Sequence, residues 1–368
     1  MKTLFVLLII VWQIASKPTD LRFHKVRTSN NGPLPRGTFP SAVISKSAAV
    51  VFGGVYDDLL LHNNTFFNDL WMFEYFGHDS GRWIKLNPSG PKPSPRAFSG
   101  MDTLINFKEE KFVCVIGGAY FQGNLFIPAS GFYCYDVQRN EWLNFTHLGG
   151  PSARSQPLVL ARGSELWVTG GVVPGSPFGF NTLNDLWKFD INCPSWVQVN
   201  VTGKNYPPRH VAVGGIIKDV SGEDRILMYG GETIDFPFDF GIANDTQEYS
   251  FTENRWFFIT DEKPSPPRDY SSMVVSHDKS MAQIFGGDEP GPNAHNPTNQ
   301  VWNYDVELCK WTKKDTVKST RPPDTKRHTS FNLGDDQIIL GGWRTKYDEN
   351  GTLIDQIFLM DVYRIGIF

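Results

Sequence analysis

The sequence predicts an all-β fold made of six repeats, each of four short strands. Three observations carry that reading. The phrase Asn-Asp-Leu-Trp opens two aromatic-rich segments, NDLWMFEY at Asn68–Tyr75 and NDLWKFDI at Asn184–Ile191. Gly-Gly closes an apolar run at Gly53-Gly54, Gly117-Gly118, Gly170-Gly171, Gly230-Gly231, Gly286-Gly287 and Gly341-Gly342. Their spacing is close to half the distance between the two Asn-Asp-Leu-Trp copies, so one further repeat lies between those copies. Around each pair the order of landmarks is constant: an arginine before it, an aromatic strand after it, and in five repeats a tryptophan at the end.

Taken in order, each repeat starts at an arginine: Arg36, Arg96, Arg154, Arg209, Arg268 and Arg327, four of them in a Pro-Arg pair. An apolar stretch follows, then a second that ends in Gly-Gly, as in ILMYGG and AQIFGG. A long irregular loop leads to the aromatic strand: NDLWMFEY, GFYCYDV, NDLWKFDI, DTQEYSF, NQVWNYDV and DQIFLMDV. A short turn then brings Trp83, Trp142, Trp196, Trp256 or Trp311. β-Branched and aromatic residues fill the strands, and Gly, Pro and Asn stand between them. The sixth repeat lacks its tryptophan. Leu21–Val26 (LRFHKV) precedes Arg36 much as Arg82–Asn87 (RWIKLN) precedes Arg96, with Phe23 where the others have Trp. The N-terminal strand is therefore expected to complete the last repeat; the alternative is that Val362–Phe368 supplies more of it.

Composition agrees with a folded, exported chain. Of 368 residues 40% are apolar and 20% charged, which excludes wholesale disorder. The net charge of −4 and the lack of a basic run argue against nucleic acid as a partner. Lys2, the apolar run LFVLLIIVW and the small residues Ala15 and Ser16 read as a secretory leader over 1–16, leaving 17–368 as the mature chain. The run is short for a membrane span, so no stable membrane insertion is expected. Five Asn-x-Ser/Thr sequons, at Asn63, Asn144, Asn200, Asn244 and Asn350, fit the same route. Four cysteines, Cys114, Cys134, Cys193 and Cys309, permit three pairings.

The order Pro-Arg, strand, strand-Gly-Gly, aromatic strand, Trp resembles the kelch repeat, with six copies over essentially the whole mature chain. That resemblance implies a six-bladed β-propeller of four-stranded blades, closed by the N-terminal strand. In it Cys114 and Cys134 fall on the second and third strands of one blade and could face each other as a disulfide. Cys193 and Cys309 fall in blades that are not neighbours.

The propeller places the Gly-Gly loops and the segments entering each arginine on one face, where long loops commonly carry function. The loops of repeats 2 and 3 lack sequons and hold Tyr120, Phe121, Phe126, Phe178 and Phe180. They form either an exposed contact surface or rings folded back over the blades. Trp343 and Arg344 follow the last Gly-Gly and depart from the repeat, which makes them ligand candidates. The six arginines, with His210 and His328 beside two of them, read as scaffold; the alternative is that the arginines gather positive charge at the channel mouth and bind an anion or a carboxylate-bearing ligand. No arrangement matches the ligand set of copper-radical sugar oxidases on this fold, and no metal or other cofactor is expected. The function expected is recognition of an extracellular protein, or of a glycan, through loops on one face. A secreted carbohydrate-active enzyme, oxidase or mutarotase-like, is the alternative. Oligomeric state is not legible.

Overall fold

The structure, a computed structural model, describes residues 21–58, 63–123, 125–175, 179–235, 239–261, 265–291, 296–347 and 353–366. The 1–16 segment, Phe178 and the sequon Asn350 lie outside the described residues. Six sheets of four or five strands follow one another along these residues. Blade 1 is Ser41–Ser45, Ala48–Phe52, Leu70–Gly77 and Ser80–Leu86, and blade 2 is Ala97–Ile105, Lys111–Gln122, Phe132–Asp136 and Glu141–Asn144. Blade 3 is Leu158–Arg162, Glu165–Thr169, Leu186–Asp190 and Ser195–Gln198, and blade 4 is Val213–Lys218, Asp224–Tyr229, Thr246–Ser250 and Arg255–Ile259. Blade 5 is Ser272–Val275, Met281–Phe285, Val301–Asp305 and Lys310–Lys314. Blade 6 is Thr329–Leu333, Asp336–Tyr347 and Leu353–Gly366, and its outer neighbour is His24–Lys25, with His24 opposite Arg364.

The second strand of each blade is covered on both faces, so it reads as a continuous apolar run rather than an alternating one. Ala48–Phe52 is buried at every position. Six core clusters join the blades in succession, and the sequence of clusters returns to its start. Val51 and Phe73 of blade 1 pack with Leu340 and Val362 of blade 6, and Phe52 of blade 1 packs with Val113 and Trp142 of blade 2. Trp83, Trp142, Trp256 and Trp311 each fill the seam between their own blade and the one before it. Trp196 packs half-buried in the seam of blades 2 and 3. In the seam of blades 5 and 6 that place is taken by Phe23, 3% exposed, whose ring lies 5.5 Å from Phe285.

The repeated Asn-Asp-Leu-Trp phrase has a complete physical account. Leu70 and Leu186 point into the core. Asp69 and Asp185 accept from the buried guanidinium groups of Arg36 and Arg154. Trp71 and Trp187 donate Nε1–H to those same carboxylates at 2.7 and 2.8 Å. Asn68 and Asn184 donate Nδ2–H to the carbonyls of Pro93 and Tyr206 in the segment entering the next blade. Each arginine also donates Nη1–H to the first Gly-Gly carbonyl: Arg36 to Gly53 at 2.9 Å and Arg154 to Gly170 at 3.1 Å. Gly170 holds φ near 67°, and a Cβ there would meet the Arg209 carbonyl at 2.7 Å. Left-handed backbone and close approach together demand glycine at that point.

Cys114 and Cys134 stand directly opposite on adjacent strands of blade 2 and form a disulfide, Cα–Cα 4.0 Å. Cys193 and Cys309 are free thiols, the first exposed.

The seam at Phe23 yields a test. Phe23→Ala removes a buried ring between blades 5 and 6 and is expected to lower the free energy of unfolding by about 3 kcal/mol. Denaturant titration measures it. A loss below about 1 kcal/mol would show that the N-terminal segment packs loosely.

Candidate functional site

Backbone geometry corrects the sequence register in the sixth repeat. The amide of the second glycine bonds the carbonyl of the next repeat's arginine: Gly54 to Arg96, Gly118 to Arg154, Gly171 to Arg209 and Gly231 to Arg268. In the fifth repeat Gly287 bonds Thr325 instead. Thr325, not Arg327, therefore occupies the scaffold-arginine position. Arg36, Arg96, Arg154, Arg209 and Arg268 are at most 2% exposed and donate to Gly-Gly carbonyls. Arg327 lies two residues further on, at the position of Thr38, Phe98, Gln156, Val211 and Tyr270. All six of these residues have φ between 46° and 61°. His328 is displaced with it, so it is not the counterpart of His210.

These six left-handed residues link the blades around the channel mouth through their backbones. Phe98 N donates to Thr38 O, Gln156 N to Phe98 O, Val211 N to Gln156 O, Arg327 N to Tyr270 O and Thr38 N to Arg327 O, at 2.8–3.4 Å. Phe98, Gln156, Tyr270 and Arg327 line two cavities at once, and Gln156 Nε2 donates to the Tyr270 hydroxyl at 3.0 Å, so these side chains form a diaphragm between the two. Above it, on the Gly-Gly face, opens a cavity of about 400 Å³ lined by residues of all six repeats.

The two halves of the cavity differ. Blades 1–3 present Val55, Phe98, Phe121, Phe126, Val172 and Phe180. The phenylalanines form a chain of ring contacts: Phe66 to Phe121 at 5.9 Å, Phe121 to Phe126 at 5.8 Å and Phe126 to Phe180 at 5.5 Å. Phe121 and Phe180 remain 41% and 40% exposed. The hairpins that carry them extend each blade past its Gly-Gly: Leu125–Pro128 pairs with the end of Lys111–Gln122, and Val172–Gly175 pairs with Gly179–Thr182.

Repeats 4–6 bring charge instead: His210, Glu232 and Arg327 line the cavity, while Asp269, Asp288 and Lys326 are buried and are not among its lining residues. His210, Asp269 and Lys326 occupy the position before the diaphragm residue, and Glu232 and Asp288 follow the Gly-Gly pairs in the paired segment. Lys326 Nζ bonds Asp288 Oδ2, both groups being buried. His210 Nδ1 lies 3.0 Å from the Glu232 carbonyl, which can only accept, so that nitrogen carries hydrogen. Its Nε2 lies 3.2 Å from Glu232 Oε2, a contact that becomes favourable when a proton sits between them. Burial pushes the His210 imidazole down to about 4. Burial, with Glu232 and Asp288 nearby, raises the Asp269 carboxyl well above the usual range against the opposing pull of Lys326 and Arg327.

Arg327 stands between the two halves. Its guanidinium lies 4.0 Å from the Tyr270 ring centroid, 4.2 Å from that of Trp343 and 5.4 Å from that of Phe98. Its side chain donates no hydrogen bond to a described residue, and Nε is buried without a partner. Among the described residues no group of three His, Cys, Asp or Glu converges to hold a metal ion.

The structure thus brings Phe121, Phe126, Phe180 and Trp343 to one cavity. Tyr120 and Arg344 are not among its lining residues; Arg344 is exposed and Tyr120 half-buried, opposite Ile127. Sequence reasoning missed Glu232, Asp269, Asp288 and Lys326, and favoured a scaffold role for His210 and Arg327. The sixth repeat lacks a Pro-Arg pair, but so does the third, at Ala153-Arg154, whose arginine is scaffold, so that signal was not decisive. Asn144, Asn200 and Asn244 are exposed; the hydroxyl of Thr246, in the last of these sequons, accepts Trp311 Nε1–H.

Comparison with known proteins gives two family matches: the Attractin/LZTR1 beta-propeller over residues 113–364 and the KLHDC2/KLHL20/DRC7 Kelch-repeats domain over 12–171. The chain is 26% identical over 280 residues to Leucine-zipper-like transcriptional regulator 1 homolog of Drosophila melanogaster, covering 73% of this chain and 26% of that protein. It is 25% identical over 213 residues to Kelch-like protein 36 of Bos taurus, covering 57% of this chain and 30% of that protein. It is 30% identical over 207 residues to Adagio protein 3 of Arabidopsis thaliana, covering 55% and 31%. The chain spans under a third of the length of each of these relatives.

Two outcomes follow from the corrected register and the buried histidines. Arg154→Gln strands Asp185 and is expected to cost about 3 kcal/mol. Arg327→Gln loses ring contacts and a charge near Asp269 but breaks no side-chain hydrogen bond to a described residue, and is expected to cost about 1 kcal/mol or less; equal losses in chemical denaturation would refute the reassignment. His328 is fully buried, with Nε2 against Ser272 Oγ and the Phe285 carbonyl and Nδ1 unpartnered among the described residues. Burial lowers its pKa from 6.5 to about 4. The unfolded chain therefore binds more protons in that window, and stability falls as pH drops from about 6.5 towards 4. The full contribution of His328 is roughly 3 kcal/mol. His328→Gln should flatten the dependence of melting temperature on pH across that window; an unchanged slope would assign the effect elsewhere.

Proposed function

The chain belongs to the kelch-repeat β-propeller family, and from that premise we propose that it is an exported binding module. It recognises a segment of an extracellular protein at the Gly-Gly face without changing it chemically. The observation that carries this reading is the cavity at the channel mouth, walled on one side by a continuous, partly exposed run of phenylalanines. Concave sites with an apolar wall and a few converging polar groups suit ligand capture, and exposed rings beside such a site supply contact area. The family consists typically of protein-interaction domains, which supports a protein partner ahead of a glycan. The leader-like 1–16 segment, the sequons and the disulfide support export.

The test is capture from the extracellular fluid in which the chain is made. Native protein and a Phe121→Ser/Phe180→Ser variant are immobilised with their glycans and the retained proteins identified by mass spectrometry. A partner held by the native chain and lost from the variant, at unchanged melting temperature, is the expected result. A partner retained equally by both would move the contact off this face. Enzymatic removal of N-linked sugar should lower the mass of the secreted chain; no change would count against export through a glycosylating route.

A further inference from the structure

We propose that the cavity above the diaphragm takes a carboxylate flanked by an apolar side chain, and that binding takes up a proton. This rests on the binding-module reading and names the chemistry that such a module recognises.

The first argument is the state of Arg327. Every scaffold arginine donates to a Gly-Gly carbonyl, and four also face a carboxylate. Arg327 is caged between Tyr270 and Trp343 and donates no side-chain hydrogen bond among the described residues. A planar guanidinium held by ring faces keeps its in-plane donors for a ligand, and a carboxylate matches that fork. The second argument is position. Arg327, Phe126 and Phe180 line the same cavity, so an apolar group beside the carboxylate reaches the phenylalanine wall.

The third argument is charge. The surrounding arc already contains Glu232, Asp269 and Asp288 against Lys326, Arg327 and His210. The groups facing Asp269 are Glu232, Asp288, Lys326 and Arg327, and those facing His210 are Glu232 and Arg327. Asp269 is 4% exposed and its Oδ1 has no hydrogen-bond partner among the described residues. An added anion strengthens the repulsion on this arc, which a proton on Asp269 or on the His210–Glu232 pair relieves. The proton comes from solvent; the ligand enters as the carboxylate and no covalent bond changes. The same repulsion disfavours a doubly charged phosphate.

The probes are N-acetylphenylalanine and its uncharged amide, titrated against the whole secreted chain by ligand-observed NMR. At about pH 6 the acid is expected to bind about tenfold more tightly than the amide. Arg327→Gln should abolish that preference, Arg327→Lys should retain part of it, and Phe180→Ser should weaken both probes alike. Between about pH 7.5 and 5.5 the acid's affinity should rise as pH falls while the amide's stays level. A double variant, Asp269→Asn with His210→Gln, should flatten the rise. Equal binding of acid and amide, or a preference that survives in Arg327→Gln, overturns the carboxylate assignment but leaves a binding cavity wherever Phe180→Ser still weakens the amide. A level pH profile for the acid overturns proton uptake. Binding of neither probe, together with failed capture, removes the binding-module reading as well.

Discussion

The constraint on which the site depends is a set of backbone hydrogen bonds between residues held in left-handed conformation. Thr38, Phe98, Gln156, Val211, Tyr270 and Arg327 occupy one position in successive repeats. Five backbone hydrogen bonds tie each to a neighbour across a blade boundary. Positive φ is unfavourable for side chains with a Cβ and persists only where surrounding structure over-determines it. Here that structure is the Gly-Gly corner on one side and the next repeat's backbone on the other. The backbones of these residues serve the linkage, so their side chains are free to differ: a threonine, two aromatic rings, an amide, a valine and a cation converge on the channel mouth.

Around that mouth the same element types perform two tasks. Arg36, Arg96, Arg154, Arg209 and Arg268 are consumed by the scaffold, where a buried guanidinium satisfies Gly-Gly carbonyls that the chain reversal leaves without strand partners. Thr325 replaces the arginine in the sixth repeat, and the cation moves two residues along the chain and into the cavity. A displacement of two residues changes the environment completely: five guanidinium groups are hydrogen-bonded and sealed, and the sixth is stacked between rings beside open space. Asymmetry of the ring follows from such departures. Phenylalanines on the hairpins of blades 2 and 3 build one wall, and His210, Glu232 and Arg327 of repeats 4–6 stand in the other.

The repeat itself was legible because its physical causes are local. Leu70 and Leu186 recur because each blade must bury the same strand face, and Asp69 and Asp185 because each pairs with the buried arginine of its own repeat. Phe23 could be matched to the missing tryptophan because the seam it fills demands large apolar area whichever end of the chain supplies it. Phe121, Phe126 and Phe180 could be singled out because aromatic residues in loops outside the repeat have no scaffold reason to be there. Glu232, Asp269, Asp288 and Lys326 could not, since each looks like ordinary polar variation within its own repeat, and His210 read as scaffold because it follows a repeat arginine. Arg327 was hidden by a different cause, a nearby arginine in a repeat where the landmark Pro-Arg pair is absent.

By itself, then, the sequence determined the all-β repeat, its strands and corners, and the aromatic residues that exceed its needs. These depend on periodic burial and on backbone conformations that glycine alone adopts easily. Tertiary structure decided the register of the sixth repeat, the pairing of His24–Lys25 with the C-terminal strand, and the meeting of an apolar wall with a charged one. The physical reason is distance along the chain. Phe98 and Arg327 are separated by most of the sequence, and only the succession of blades around a channel brings them face to face.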